Sequence, residues 1–324
     1  MNYSNSSINC FADCEAKYKY RYIDKLESCQ PPSVHLIFGA MAHEVLYKAG
    51  QLRDMSADKV LTKDDYISVI PSECLYPELK DAFNITSWNN YFVPVIKQTA
   101  LYEKQLCDSM QEPYEIKREH KITVNDIPGM LSGILGIIDL LILGKNSAII
   151  VDYKFSKSKK TQYDFDLGSQ LPLYAYLVHK TYGIPVRNIK VAYIDINKTQ
   201  FDMPVVLKNG TLSRSKSQNT SQEYYKAAVE AIHKNDPYYN CEKGGFYYDI
   251  YCELALNKPA YLNCQYIDVD IYNQTMNDLL DTIKCIEFRE VVKQDLPWPK
   301  KFDSYSCPTC EYVKYCKPQL FMEK

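Results

Sequence analysis

An acidic and a basic residue stand two positions apart at the end of a short apolar stretch. The stretch reads Ala148-Ile-Ile-Val-Asp152-Tyr-Lys154, and its β-branched residues predict a strand. Because side chains alternate between the faces of a strand, Asp152 and Lys154 project to the same side. A carboxylate there is a hard ligand for Mg²⁺ or Mn²⁺, and the adjacent lysine can orient or deprotonate a water for attack on phosphorus. An ordinary salt bridge at a strand end would give the same pattern.

A second carboxylate interrupts the preceding apolar run, Gly133–Leu143. Asp139 stands inside this run, where an ionised carboxylate is costly unless a cation or hydrogen bonds compensate it. Residues 144–147, Gly-Lys-Asn-Ser, predict a hairpin turn between the two strands. This hairpin would bring Asp139 close to Asp152.

Two further polar groups belong to predicted helices. Gln170 and Tyr174 are four positions apart in a helix predicted at about 170–182, and that spacing directs both side chains back towards the hairpin. His43 lies in a helix predicted over 38–50. A single histidine there is more often structural, but its imidazole is also a suitable metal ligand.

The remaining elements predict an α/β chain in which helices precede and follow a group of strands. Further strands are expected at 114–124, 189–196 and 201–207, and helices at 221–234 and 272–292. Residues 56–112 read as largely helical, with stops at Pro71, Pro77 and Pro94. Residues 237–288 give no clear pattern before the last helix.

Composition and charge exclude several classes of protein. The chain has 324 residues, 46% hydrophobic and 24% charged, which is typical of a folded globular protein. Its 38 Lys+Arg and 40 Asp+Glu nearly balance, so the overall charge does not indicate a nucleic-acid-binding protein. A nearly neutral chain can still contain a local basic channel. The longest apolar run is too short to span a bilayer and the N-terminal segment lacks secretory features. A cytoplasmic protein of a bacterium, or of a phage in its host, is expected.

Three cysteines near the C-terminus have the spacing of a chelating loop. Cys307, Cys310 and Cys316 form a C-x2-C-x5-C pattern, and tetrahedral metal or cluster chemistry needs a fourth ligand. The spacing alone leaves a zinc site and an iron–sulfur cluster equally open.

The two carboxylates, Lys154, the Gln170/Tyr174 pair and His43 in a G-x-x-x-H-E sequence occur in one characteristic order. In this they resemble the RecB-like branch of the PD-(D/E)XK nuclease superfamily. The resemblance implies a restriction-endonuclease-like α/β core, a central mixed β-sheet flanked by helices, with helical insertions. It also implies a role for each residue. Metal would be held by His43, Asp139, Asp152 and the main-chain carbonyl of Tyr153, while Lys154 activates the water and Gln170 and Tyr174 support the site and the DNA.

An N-terminal segment supplies the candidate for the fourth cysteine. Cys14 begins the sequence CEAKYKYRYIDKL, which resembles the early cysteine segment of iron–sulfur nucleases of the AddB and CRISPR-associated type. The resemblance implies a [4Fe–4S] cluster bound by Cys14 together with Cys307, Cys310 and Cys316, which would staple the two ends of the chain together. Cys10 is the second candidate for the N-terminal ligand, and zinc is the alternative metal.

The resulting expectation is a Mg²⁺- or Mn²⁺-dependent DNA exonuclease that acts on single-stranded or frayed ends. Its partners would be DNA and a helicase or another recombination, repair, CRISPR or phage replication protein. A DNA-binding or scaffolding subunit with a weak nuclease site, and a zinc-stapled interaction protein, are the alternatives.

A single interrupted domain of residues 1–324 is expected to carry this activity. Its predicted segments are 10–50 with the first cysteine and the histidine helix, 51–113 as a helical insertion, 114–207 as the catalytic core, 208–295 as a helical or irregular region, and 296–324 with the cysteine cluster.

Overall fold

A computed structural model of the chain describes residues 2–56, 61–156, 160–234, 236–292, 296–301 and 307–316. The predicted 296–324 segment therefore lies partly outside the described residues, as do a few positions of the other segments. The strands are β1 (Asn2–Tyr3), β2 (Tyr114–Val124), β3 (Gly133–Gly144), β4 (Ala148–Ser156), β5 (Ile189–Asn197) and β6 (Ala260–Tyr266). They form one mixed sheet in the order β1-β3-β4-β5-β6, with β2 paired to β3.

Helices cover both faces of this sheet. The α-helices of the described residues are α1 (Asn5–Asp13), α2 (Glu15–Tyr18), α3 (Val34–Met55), α4 (Lys63–Ile67), α5 (Pro77–Phe83), α6 (Trp88–Asp108), α7 (Gln162–Leu167), α8 (Gln170–Tyr182), α9 (Gln222–His233), α10 (Tyr248–Leu254), α11 (Val269–Val291) and α12 (Val313–Cys316). Of these, α9 and α10 pack on each other in a separate small core. One buried apolar core joins the sheet to α1, α2, α8 and α11. A second core joins the opposite face to α3, α5 and α6. The central mixed sheet flanked by helices confirms the predicted fold class.

The central hairpin, β3–β4, forms as its sequence predicts. Its antiparallel ladder runs from Leu143–Ala148 at the turn to Leu140–Val151. Strand β4 then pairs with β5 in parallel through a connection that contains α7 and α8. Parallel neighbours need such a crossover, and here the crossover helix α8 carries Gln170 and Tyr174.

Most other predicted elements form close to the predicted positions. The predicted helix 170–182 agrees with α8, which ends at Gly183 in the left-handed region with a φ of 72°. The strand predicted at 201–207 is wrong, because these residues contain only an isolated bridge between Val206 and Leu212. The unassigned region after residue 237 contains α10 and the edge strand β6, which pairs with β5.

The helix stop predicted at Pro94 is also wrong. Pro94 lies inside α6, where it removes one main-chain hydrogen bond at a cost of about 3 kcal/mol. The helix continues because Phe92, Val95 and Ile96 are buried around it in the second core, and each buried apolar side chain contributes about 1.5–3 kcal/mol. Pro77 begins α5 at its first position, where no N–H partner is needed.

Close packing of α8 on β3 depends on one glycine. A Cβ atom at position 136 would lie 2.6 Å from Cδ1 of Leu177 and 3.0 Å from the Tyr174 ring. We expect Gly136→Ala to lower the free energy of unfolding by about 1–3 kcal/mol because the buried interface is overpacked. Urea unfolding measures this change.

Gly39→Ala is the matched control, since Gly39 lies in α3 with no atom within 4 Å of the added Cβ. It should raise stability by about 0.5–1 kcal/mol through helix propensity. Equal effects of the two substitutions would contradict the close-packing account.

Candidate metal and catalytic site

The two predicted carboxylates meet where β3 and β4 separate. Their ladder ends at Leu140–Val151, and the next residues are Asp139 and Asp152. The Oδ2 atom of Asp139 accepts a hydrogen bond from the main-chain N–H of Tyr153 at 2.7 Å. The Asp139 carboxylate thus takes the place of a main-chain partner from β3. The hairpin therefore brings Asp139 beside Asp152, as the sequence predicts.

Lys154 is held between a carboxylate and an amide. Its Nζ lies 2.7 Å from Oδ2 of Asp152 and donates to Oε1 of Gln170 at 2.8 Å. The Gln170 amide in turn donates to the Tyr174 hydroxyl at 2.8 Å. The four residues form one chain of contacts from β4 to α8, with the lysine half-buried and the Asp152 side chain almost completely buried.

His43 reaches the same place from α3. Its Nδ1 atom lies 3.6 Å from Oδ1 of Asp139, which is beyond hydrogen-bond distance. Burial and then the charge of Lys154 lower the pKa of His43 to about 4. The imidazole is therefore neutral near pH 7, which is the form that binds a metal.

Glu119 is a site residue that the sequence reasoning missed. One ligand atom each of His43, Glu119 and Asp139 lies within 4.8 Å of the others. The β2–β3 ladder pairs Arg118 with Leu140 and His120 with Ile138, which places Glu119 opposite Asp139. Its backbone has a φ of 45°, a left-handed conformation that costs about 1–2 kcal/mol for residues other than glycine. Only a correct β2–β3 register would have revealed this neighbour.

Three carboxyl groups lie at this site, and burial raises the pKa of each. Burial and then the charge of Asp152 raise the pKa of Asp139 well above its usual value, although the N–H of Tyr153 opposes this. Burial also raises the pKa of Asp152, against the effect of Lys154. Burial likewise raises the pKa of Glu119. Carboxylate oxygens and one imidazole form a donor set that suits Mn²⁺ or Mg²⁺, so these residues fit a divalent cation.

The structure does not bring every predicted ligand into one group. Asp152 is outside the 4.8 Å group of His43, Glu119 and Asp139, and its carboxylate is paired with Lys154. Tyr153 contributes its N–H to Asp139, while the role of its carbonyl as a ligand stays a prediction.

The four predicted cluster cysteines line a single cavity. Cys14, Cys307, Cys310 and Cys316 surround a space of about 480 Å³. Cys10 is buried in the neighbouring core and does not line this cavity. The two chain segments are also joined directly, since Ala16 N–H donates to the Pro299 carbonyl at 3.0 Å and Cys29 N–H to the Glu311 carbonyl at 2.8 Å.

A zinc ion and an iron–sulfur cluster require different distances between their thiolate ligands. Zinc–sulfur bonds of about 2.3 Å place tetrahedral thiolates about 3.8 Å apart. Among the described residues, no three of the four Sγ atoms come within 4.8 Å of one another. A cluster separates its thiolates further, because iron and sulfide ions lie between them. The cluster stays a prediction, with zinc as the alternative.

The uncompensated charge of Asp139 has a consequence for stability in the metal-free protein. Because its pKa is raised in the folded state, the ionised form destabilises the fold above the usual pKa of an aspartate. We expect Asp139→Asn to raise the free energy of unfolding at pH 7 by about 1–2 kcal/mol, since asparagine keeps an acceptor for Tyr153 and removes the charge. Chemical unfolding in the presence of a chelator measures this difference.

Asp164→Asn is the control, and it should change the free energy of unfolding in the opposite direction. This carboxylate caps α7 by accepting the Thr161 N–H at 2.7 Å and pairs with Lys160 at 2.7 Å. Its loss should lower stability by about 0.5–1 kcal/mol. A loss of stability in Asp139→Asn as well would show that the site tolerates the charge without a cation.

The sequence matches one known superfamily of proteins. A sequence profile of the PD-(D/E)XK nuclease superfamily matches residues 2–317. No curated protein matches the sequence. Among solved structures, a candidate exonuclease from Eubacterium rectale is 12% identical, with 80% of this chain and 83% of that chain covered and a TM-score of 0.37. The protein SSO0001 is 12% identical, with 86% and 95% covered and a TM-score of 0.27.

Similarities this distant support no inference about substrate. Among the described residues, no helix is long and apolar enough to cross a membrane. The profile match confirms the resemblance to the superfamily that the motifs indicate, while the RecB-like, iron–sulfur branch stays a prediction. The chain belongs to the PD-(D/E)XK nuclease superfamily.

Proposed function

We propose that this nuclease is a divalent-metal-dependent DNA exonuclease that hydrolyses phosphodiester bonds at single-stranded or frayed ends. The observation that carries the proposal is the group at the end of the β3–β4 ladder. There Asp139 and Asp152 lie beside Lys154, which is held by Asp152 and Gln170. The action on DNA ends follows from the resemblance to the RecB-like branch.

His43, Glu119 and Asp139 would hold the metal ion, with Asp152 and the Tyr153 carbonyl as the further ligands that the resemblance implies. A bound Mg²⁺ or Mn²⁺ supplies Lewis acidity towards a phosphoryl oxygen and makes water a better nucleophile at neutral pH. The chain provides the acidic pocket that retains the ion and the neutral imidazole of His43 on one side of it.

Lys154 would position the attacking water, and its positive charge would favour loss of a proton from that water to the solvent. Its ammonium group already contacts Asp152, so the water it binds stands beside the metal ligands. Gln170 limits the rotation of the lysine by accepting a hydrogen bond from its Nζ, and the Tyr174 hydroxyl fixes the Gln170 amide by accepting a hydrogen bond from it. These contacts keep the lysine pointing at the site while the side chain stays half-exposed to substrate.

Digestion of DNA tests the catalytic proposal. We expect end-labelled linear DNA to be degraded with Mn²⁺ or Mg²⁺, closed circular DNA to resist, and Lys154→Ala to lower the rate by about 100-fold or more. The assay uses anaerobically purified full-length protein, and the released label reports the polarity.

Lys190→Ala is the matched control. Lys190 lies near the start of β5, whereas Lys154 pairs with Asp195 near the end of that strand, and the Lys190 ammonium group lies over the Tyr266 ring. It should retain the activity of the wild type. If the wild type and Lys154→Ala are equally inert while both bind DNA, the protein is a binding subunit. Equal cleavage of circular and linear DNA would show that the protein is an endonuclease and not an exonuclease.

We also propose that Cys14, Cys307, Cys310 and Cys316 hold a structural [4Fe–4S] cluster. The support is their common cavity, together with the resemblance of the Cys14 segment to the early cysteine segment of iron–sulfur nucleases. Such a cluster would join residues near both ends of the chain and add to the main-chain hydrogen bonds between these segments.

Metal analysis distinguishes the cluster from zinc. Anaerobically purified protein should contain about four iron and four sulfide ions per chain, and Cys310→Ser should lose them with the visible absorption of the cluster. Cys29→Ser is the control, since Cys29 lies beside the same segment and donates its Sγ–H to the Glu311 carbonyl. One zinc ion per chain, with no sulfide, would contradict the cluster.

A further inference from the structure

One buried carboxylate lies next to the candidate site, on the face of the sheet that α3 and α6 cover. Glu103 of α6 is only 5% exposed. Its Oε2 atom accepts hydrogen bonds from Nη2 of Arg53 and from Nη2 of Arg118, each at 2.7 Å. Its Oε1 atom accepts the hydroxyl proton of Tyr153, also at 2.7 Å. All three contacts are short and two of them are charge-assisted, which makes them strong and directional.

These three partners belong to the elements that carry the proposed metal ligands. Arg53 lies in α3, the helix that carries His43. Arg118 immediately precedes Glu119 in β2. Tyr153 stands between Asp152 and Lys154 in β4. A single carboxylate thus contacts α3, β2 and β4 at once, and β3 with Asp139 lies between the two strands.

The alternation of side chains explains why this contact acts on the site. Neighbouring residues of a strand project to opposite faces, so the Tyr153 ring anchors β4 from the face opposite to Asp152 and Lys154. Arg118 anchors β2 in the same way next to Glu119, whose strained backbone with a φ of 45° needs its surroundings to hold it. Movement of either anchor would shift the ligand beside it.

Burial and charge make the anchor rigid. Burial alone would raise the pKa of Glu103, but Arg53 and Arg118 hold it below its usual value, so the carboxylate stays ionised. Arg118 is further fixed by Asp54, with Nε to Oδ2 at 2.7 Å and Nη2 to Oδ1 at 3.1 Å. The guanidinium also fills the space above Gly50, where an added Cβ would lie 2.4 Å from Cζ.

From these contacts we propose that Glu103 is a positioning residue for the metal site, acting through Tyr153 and Arg118. The inference rests on the proposed function, because it needs a divalent cation at His43, Glu119 and Asp139. Groups that orient metal ligands without touching the metal typically contribute about 10- to 100-fold to metal affinity. A network with a purely structural role would affect stability alone.

The test compares two single hydroxyl deletions in the full-length protein. Tyr153→Phe removes the contact to Glu103 and leaves both arginine pairs intact. Tyr102→Phe removes a hydroxyl from a buried α6 tyrosine that donates to the Ala260 carbonyl of β6 at 3.1 Å, and β6 carries no proposed site residue. Mn²⁺ affinity is measured from the electron paramagnetic resonance signal of free Mn²⁺, and binding that survives in Asp139→Asn is assigned to other sites.

We expect Tyr153→Phe to weaken Mn²⁺ binding about 10-fold and to shift half-maximal DNA cleavage to higher Mn²⁺ concentration, with the rate recovered at saturation. Tyr102→Phe should bind Mn²⁺ like the wild type while its thermal unfolding midpoint falls as much as that of Tyr153→Phe. Glu103→Gln, if it folds, should weaken Mn²⁺ binding further.

Two results would overturn the inference. Equal Mn²⁺ affinity in Tyr153→Phe and Tyr102→Phe, in a wild type that binds Mn²⁺ and cleaves DNA, would leave the nuclease proposal intact and assign Glu103 a structural role. A wild type that neither binds Mn²⁺ nor cleaves DNA would overturn both proposals.

Discussion

Repulsion between two buried carboxyl groups is the constraint around which this fold is arranged. Asp139 and Asp152 meet where the β3–β4 ladder ends, and burial raises the pKa of both. The protein compensates them only in part, through Lys154 and the N–H of Tyr153. The remaining negative charge would favour a cation at this site, and without one it destabilises the fold.

The apolar layers on both faces of the sheet offset that instability. The strands are buried between α8 and α11 on one side and α3 and α6 on the other, so the carboxylates stand at the margin of two large cores. The same helices carry the polar groups of the site. Helix α8 supplies Gln170 from one side, while α3 supplies His43 and α6 supplies Glu103 from the other. Packing and chemistry therefore depend on the same elements.

Helix α3 also links the two candidate cofactor sites. Its N-cap, Ser33, and its first turn, with Leu36, line the cysteine cavity, and His43 follows further along the same helix. The helix ends near Arg53, which pairs with Glu103. Helix α3 thus runs from the cysteine cavity, past the candidate metal site, to the pair of Arg53 with the buried Glu103.

Local sequence determined the parts of the site that depend on short-range geometry. Strand alternation placed Asp152 and Lys154 on one face, a tight hairpin brought Asp139 beside them, and a helical spacing of four paired Gln170 with Tyr174. The backbone repeats of strand and helix fix these relations over a few residues. The type of sheet and the superfamily followed from the same motifs.

Tertiary structure alone decided which residues distant in sequence lie at or next to the candidate site. Glu119 reaches the site because of the β2–β3 register, Glu103 because α6 packs beneath β4, and Pro94 stays within a helix because a buried core surrounds it. The cysteines of the two termini line one cavity only after the whole chain has folded. Such contacts depend on the packing of complete elements, which no local pattern of side chains encodes.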